Sequence, residues 1–190
     1  NITIETIEAV RTKNTKAIIV VHIGGWPCDM KPIMTYARKN KLIVIEDCAQ
    51  AHGAEINGKK VGSFGDAAAF SFCQDKIMTT CGEGGMLLLK KKSVWLSAWS
   101  YKDHGKNYNA VNKKNTSSGF KWLVESFGSN YRMTEIQSAV GRLQLKKLNK
   151  WLSTRQKNSE ILDKHFKNFT TFLRVPNIPK EIKHARYKYY

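Results

Sequence analysis

The sequence predicts an α/β protein in which a mainly parallel β-sheet is flanked by helices. Two short runs, Ala17-Ile18-Ile19-Val20-Val21 and Leu42-Ile43-Val44-Ile45, contain no polar residue, as strands of a buried parallel sheet do not. Between them Met30, Ile33, Met34 and Ala37 recur at helical spacing, with Asp29 where a helix N-cap belongs. Strand, helix and strand form a βαβ unit whose sheet is expected to be covered on both faces.

The first run ends in His22-Ile23-Gly24-Gly25 and the second in Glu46-Asp47, so both strands close on polar or glycine-rich turns. Two further apolar runs, Ala67 to Phe72 and Met86 to Leu89, are strand-like and set off by Gly62, Gly65, Gly82, Gly84 and Gly85. Residues 93–103 are expected to be helical around Val94, Leu96 and Trp99. The polar stretch 104–120 has no period and reads as a long functional loop. Thr134-Glu135-Ile136-Gln137 has the form of a capping box. It opens a helix with Ile136, Val140, Leu143, Leu148, Trp151 and Leu152 as its apolar stripe. A second helix is expected over 155–168, then an extended segment at Phe172-Leu173-Arg174-Val175-Pro176.

Charge and composition narrow the function classes. Lys and Arg number 32 against 15 Asp and Glu in 190 residues, a net charge of +17, and most of the excess lies beyond residue 100. Such a balance draws polyanions or phosphorylated substrates. The basic residues are nonetheless scattered through apolar-periodic segments, without a recognised nucleic-acid motif or an aromatic platform interleaved with them. No apolar run reaches the ~18 residues of a membrane span, and Asn1-Ile2-Thr3-Ile4-Glu5 has no signal-peptide pattern. The expectation is a cytoplasmic protein without nucleic-acid or membrane partners. Cys28, Cys48, Cys73 and Cys81 form no C-x-x-C pair and read as small buried hydrophobes in a reducing compartment. A zinc set of His22, Cys28, Cys48 and His52 matches no common spacing, so no metal is expected.

Chemistry is expected at the carboxyl ends of the strands, where open parallel sheets bind ligands. Asp47 sits directly there, either orienting a cationic ring nitrogen, a metal or a ribose hydroxyl, or capping a helix through Cys48-Ala49-Gln50. Gln50 and His52 follow within a turn. Ser71 and Lys76 flank the end of another strand, and a lysine in a partly dry sheet-edge site can act as an amine nucleophile toward a carbonyl. Thr79 to Gly85 offers backbone amides to a phosphate but is not a P-loop, since no Gly-Lys-Ser/Thr follows. Gly62-Ser63-Phe64-Gly65 is not a nucleophile elbow.

Five segments in order carry more than any of them singly. They are Glu46-Asp47-Cys48-Ala49-Gln50-Ala51-His52-Gly53-Ala54, Gly62-Ser63-Phe64-Gly65-Asp66-Ala67, Phe70-Ser71-Phe72 with Lys76, Gly82-Glu83-Gly84-Gly85-Met86, and Asn130-Tyr131-Arg132-Met133-Thr134-Glu135-Ile136-Gln137. This series closely resembles the pyridoxal-phosphate-dependent sugar aminotransferases of the DegT/DnrJ/EryC1/StrS family, from about residue 1 to about 155. The resemblance implies the aspartate-aminotransferase (fold type I) architecture. It implies a partial large pyridoxal-phosphate domain over 1–150 and the start of an incomplete C-terminal small domain over 151–190. The family's chains are much longer than this one, and a catalytically silent aminotransferase-like chain is the alternative.

The resemblance also implies residue roles. Lys76 would hold the pyridoxal 5'-phosphate cofactor covalently and shuttle the proton, and Asp47 would pair with the pyridine nitrogen. Gln50 would reach the ring's hydroxyl side, Ser71 the phosphate, and Asn130 the phosphate of a neighbouring subunit's cofactor in a homodimer with shared active sites. Glu83, His104 and Arg132 match family positions and are expected to be structural. A lysine at position 76, where a minority branch carries histidine and removes hydroxyl groups, favours transamination. The implied reaction moves an amino group from an amino-acid donor, glutamate, to the keto group of a nucleotide-sugar substrate, in polysaccharide, lipopolysaccharide or amino-sugar biosynthesis. Lys113, Lys114 and Lys121 are expected to meet the nucleotide diphosphate.

Overall fold

The computed structural model describes residues 1–113, 123–169 and 171–189. They divide into two compact units, one of Asn1–Leu88 with Ile136–Tyr190 and one of Leu89–Glu135. Lys114 and Lys121 lie outside the described residues.

The first unit starts with α1 (Ile4–Val10), capped by Thr3 in a reciprocal capping box with Thr6. β1 (Ala17–Val21) follows, then a 3₁₀ turn at Ile23–Gly25, α2 (Met30–Lys39) and β2 (Ile43–Asp47). Asp29 stands at the N-cap of α2 as predicted, but its side chain makes no capping hydrogen bond. After β2 come the short strands β3 (Glu55–Ile56) and β4 (Lys59–Lys60), then β5 (Ala67–Ser71) and β6 (Gly85–Leu89). The main sheet has the order β1-β2-β5-β6, with β1, β2 and β5 parallel. Val21 lies opposite Asp47, and Asp47 opposite Ala69.

Every fully buried strand position of this sheet has an even number: Ile18, Val20, Val44, Glu46 and Ala68. Side chains alternate along a strand, so these residues share one face. α1 and α2 close that face with Ile7, Met30, Ile33 and Ala37, the Ile and Met side chains each contributing about 1.5–3 kcal/mol on burial. The opposite face is open among the described residues: Ile19 is 62% and Ile43 52% exposed. The expected two-sided cover is therefore corrected to a one-sided one. An unbroken apolar run shows that both faces tolerate burial, not that both are packed.

β3 and β4 form a hairpin through Asn57-Gly58, both with positive φ, and β7 (Ile182–Lys183) adds to β3 in a second, antiparallel sheet of order β4-β3-β7. Of the Phe172–Pro176 segment read as extended, Phe172 lies in a turn and 173–176 join no sheet ladder. No helix among the described residues is long and apolar enough to cross a membrane.

α5 (Glu135–Phe166) is one continuous helix of 32 residues, which replaces the two helices expected there. No Gly or Pro interrupts 153–155, and Thr154 donates its hydroxyl to the Lys150 carbonyl (3.1 Å) without breaking the helix. Its docked face also differs from the apolar stripe. Gln137, Gly141, Gln144, Leu148, Leu152, Arg155 and Ser159, spaced by three and four, carry the tertiary contacts or burial, whereas Ile136 and Leu143 are exposed. Leu148 and Leu152 pack with Ala51, Ala54, Val61, Ile77, Ala185 and Tyr187 in a second core cluster.

In the second unit α3 (Lys92–Lys102) is the helix predicted over 93–103. Within the 104–120 stretch read as a loop lies α4 (Tyr108–Asn112), whose N-cap Asn107 accepts from the Ala110 N–H, while 114–120 lie outside the described residues. Trp95 and Trp99 meet the Tyr108 ring edge-on, each 5.0 Å between centroids. Aromatic packing thus sustains a helix too short for periodicity to reveal.

Candidate active site

The parity of the sheet divides two neighbouring acids. Glu46 points into the core and Asp47 to the open face. Glu46 is fully buried and gathers the turns around it. Its Oε1 accepts from Phe64 N–H (2.7 Å) and Gly65 N–H (2.6 Å), and its Oε2 from Gly62 N–H (2.7 Å). The Cys28 N–H donates to His22 Nδ1 (3.0 Å), which places the His22 proton on Nε2, 3.2 Å from Glu46 Oε2. Burial alone would raise the Glu46 carboxyl pKa, but the His22 bond and the Gly65 and Gly62 amides hold it below its usual value.

This explains the Gly62-Ser63-Phe64-Gly65 segment: it wraps a carboxylate with backbone amides. A Cβ at Gly62 (φ +86°) would lie 2.7 Å from the Phe70 ring, and one at Gly65 2.8 Å from the Val44 carbonyl oxygen. Glu46 was missed by sequence reasoning; its signal was an acid inside an otherwise apolar strand. His22, Glu46 and Cys48 offer donor atoms within 4.8 Å of one another. Both His22 nitrogens and both Glu46 oxygens are already engaged, however, and burial raises the Cys48 thiol pKa, so the cluster is a packing device. The set of His22, Cys28, Cys48 and His52 does not gather among the described residues. Cys28 and Cys48 are buried as expected, while Cys81 is exposed.

Asp47 stands at the carboxyl end of β2, half-buried, with Oδ1 accepting from the Ala49 N–H (3.0 Å). That is an Asx turn, and no helix follows through Cys48-Ala49-Gln50, which corrects the helix-capping reading. Gln50 accepts the Gly24 N–H on its amide oxygen (2.7 Å), which fixes it beside the end of β1. On β5, Ser71 has the same parity as Ala69, the register partner of Asp47, so it lies on the same open face at the same edge. Its Oγ accepts from the Cys73 N–H (3.3 Å). Lys76 follows on the loop after β5, its side chain 15% exposed. Sheet register therefore places Asp47 and Ser71 at the carboxyl edge of the first unit, with Gln50 and Lys76 on the loops that follow their strands.

His52 joins them. It is buried with both ring nitrogens unpartnered among the described residues, beside Phe70 and Phe72. Burial pushes its pKa down, so it is a neutral imidazole. Glu83 takes a structural part: its carbonyl accepts from Gln137 Nε2 (2.9 Å) and Thr80 Oγ1 (3.2 Å), tying the glycine-rich turn to α5.

Asn130 belongs to the second unit, where it bridges backbone to Asp103 and accepts from Arg132 Nε (3.1 Å). Arg132 also approaches His104 Nε2 (3.3 Å) and Asp103 Oδ1 (3.7 Å). Arg132 and His104 thus brace the turn that presents Asn130.

The sequence fits the DegT/DnrJ/EryC1/StrS aminotransferase family over residues 1–190. GDP-perosamine synthase of Escherichia coli O157:H7 is 37% identical over 182 residues, covering 96% of this chain and 46% of the relative. The dTDP-3-amino-3,6-dideoxy-alpha-D-galactopyranose transaminase of Aneurinibacillus thermoaerophilus is 36% identical over 179 residues, or 94% and 46%. The X-ray structure of an aminotransferase from Psychrobacter cryohalolentis superposes with a TM-score of 0.92 at 48% identity, covering 96% of this chain and 48% of that one. The chain spans about half the length of the curated relatives it matches. Its α/β architecture is that of the fold type I aminotransferases. With the motifs in order, the sheet edge they define and a match along its whole length, the chain belongs to the DegT/DnrJ/EryC1/StrS aminotransferase family.

Proposed function

We propose that this chain carries the lysine-bearing part of a pyridoxal-phosphate-dependent sugar aminotransferase, which moves an amino group from glutamate to the keto group of a nucleotide-linked sugar. The observation that carries the reading is the joint placement of Asp47 and Ser71 on one open face at the sheet edge, with Lys76 on the next loop. A half-buried carboxylate, a hydroxyl, an amide held by Gly24 and an orphaned buried imidazole suit a polar aromatic phosphate. When bound, pyridoxal phosphate supplies an electron sink for the amino-bearing carbon.

In this reading Lys76 binds the cofactor at Nζ and moves the proton there. Asp47 keeps the ring nitrogen protonated, Gln50 orients the ring from its hydroxyl side, and Ser71 holds the phosphate. Asn130 serves the neighbouring subunit of a homodimer. Residues 1–150 belong to the large domain and 151–190 begin the small one. The proposed setting is cytoplasmic polysaccharide, lipopolysaccharide or amino-sugar biosynthesis, and Lys113, Lys114 and Lys121, the last two outside the described residues, would serve the charge of the nucleotide diphosphate.

The test supplies the chain with pyridoxal phosphate, glutamate and a panel of GDP-, UDP- and dTDP-linked keto sugars, and measures 2-oxoglutarate. The expected result is release matched by aminated sugar, reduced at least about 100-fold in Lys76→Ala. No release with any sugar, or release unchanged in Lys76→Ala, contradicts the proposal.

A further inference from the structure

We propose that Asp75 and Tyr187 are positioning residues for Lys76, forming a clamp that holds its side chain as an ammonium at the sheet edge. Lys76 Nζ lies 3.2 Å from Asp75 Oδ1 and 3.4 Å from Tyr187 Oη. The Tyr187 hydroxyl donates in turn to Asp75 Oδ2, closing a ring of three polar groups. The ammonium also sits 5.2 Å from the Tyr187 ring centroid, within cation–π range.

The phenol is held from several sides. Tyr187 is 5% exposed and packs in the second core cluster. Its N–H donates to the Gly24 carbonyl (3.2 Å), and Arg155 Nη1 from α5 donates to the Tyr187 and Arg186 carbonyls (3.1 and 3.2 Å). A residue more than a hundred positions away in sequence is thereby fixed against Lys76 by the end of β1 and by α5. A tyrosine that only filled core volume would not need its hydroxyl between a carboxylate and an ammonium.

Among the described residues, Lys76 is faced by Asp75 on its own loop, Tyr187 from the C-terminal segment, and neutral His52 from the turn after β2. The Tyr187 bond and then the Lys76 bond hold the Asp75 carboxyl down to about 2. Partial burial would lower the Lys76 pKa, but the Asp75 and Tyr187 bonds outweigh it and raise it. The clamp therefore keeps the amine protonated and oriented while it is free.

The purpose of the clamp rests on the reading of Lys76 as the cofactor lysine, but its test does not. Trace acetylation of the full chain with acetic anhydride, without cofactor, followed by peptide mapping gives the pH profile of the Lys76 amine against the chain's exposed lysines. The wild-type Lys76 midpoint is expected above theirs. Tyr187→Phe keeps the ring and its packing but removes the hydroxyl's two hydrogen bonds, from the Lys76 ammonium and to the Asp75 carboxylate, an effect of at least about ten-fold in equilibrium. The Lys76 labelling rate at pH 7.5 should rise by about 3- to 10-fold in Tyr187→Phe, and more in Asp75→Asn, with other lysines unchanged. An identical Lys76 profile in wild type and both variants overturns the clamp, even if amino transfer is found. A shifted profile upholds it, even if no sugar is aminated.

Discussion

Replacing Glu46 by alanine is expected to cost about 3–5 kcal/mol of folding stability, the penalty typical of breaking a buried charged network. Stability of a domain is only about 5–15 kcal/mol, so the urea midpoint should fall sharply or the variant should fail to fold. The cause is specific. The Gly62, Phe64 and Gly65 N–H groups and His22 Nε2 all lose their acceptor at once, in a place closed to water. Glu46→Gln keeps the volume and one carbonyl acceptor but loses the charge, and should fall between the two. Since the folded carboxyl pKa lies below the unfolded value of 4.5, the contribution is complete above that value and disappears as pH drops through the folded one. Urea unfolding followed by far-ultraviolet circular dichroism at neutral and acid pH measures both effects. A Glu46→Ala midpoint equal to wild type at neutral pH would remove Glu46 from its place in the fold.

Asp47→Ala, one residue on, should behave in the opposite way. Its side chain faces outward and accepts only the Ala49 N–H among the described residues, so folding should lose about 1 kcal/mol. Cofactor binding should suffer far more. A carboxylate paired with a protonated ring in a partly dry site contributes about 3–5 kcal/mol against its removal, which weakens binding by a factor of about 150 to 4,000. Absorbance titration with pyridoxal phosphate, run beside urea unfolding, separates the two. Equal cofactor affinity in wild type and Asp47→Ala would end the pairing role. A large loss of stability would instead place Asp47 in the framework beside Glu46.

These neighbouring acids show what the sequence could and could not convey. β1, α2, β2, β5, β6 and α3 were legible because their apolar runs and periods are local properties. The division of Glu46 from Asp47 was not, since it depends on which face of the sheet the helices cover. Asp47, Ser71 and Lys76 were legible as a series through family resemblance, but their meeting at one edge follows from strand register. α5 was misread because its docked face is partly polar and small: Gln137 and Gln144 bond to backbone, and Gly141 lies against Thr80. A hydrophobic-stripe criterion selects Ile136 and Leu143 instead, which are exposed. The Asn57-Gly58 hairpin carried a standard turn signal that short, charged strands concealed. The Tyr187 contact with Lys76 had no sequence signal at all, because it is made by tertiary packing across the whole unit.

The central claim is that Lys76 is the residue that takes up pyridoxal phosphate. The most direct measurement is to mix the chain with pyridoxal phosphate, record the visible spectrum, reduce with borohydride and map the labelled peptide. The expected result is a yellow absorbance band and a single label on Lys76, both absent in Lys76→Ala. A label spread evenly over the chain's many lysines, or one concentrated elsewhere, would contradict it.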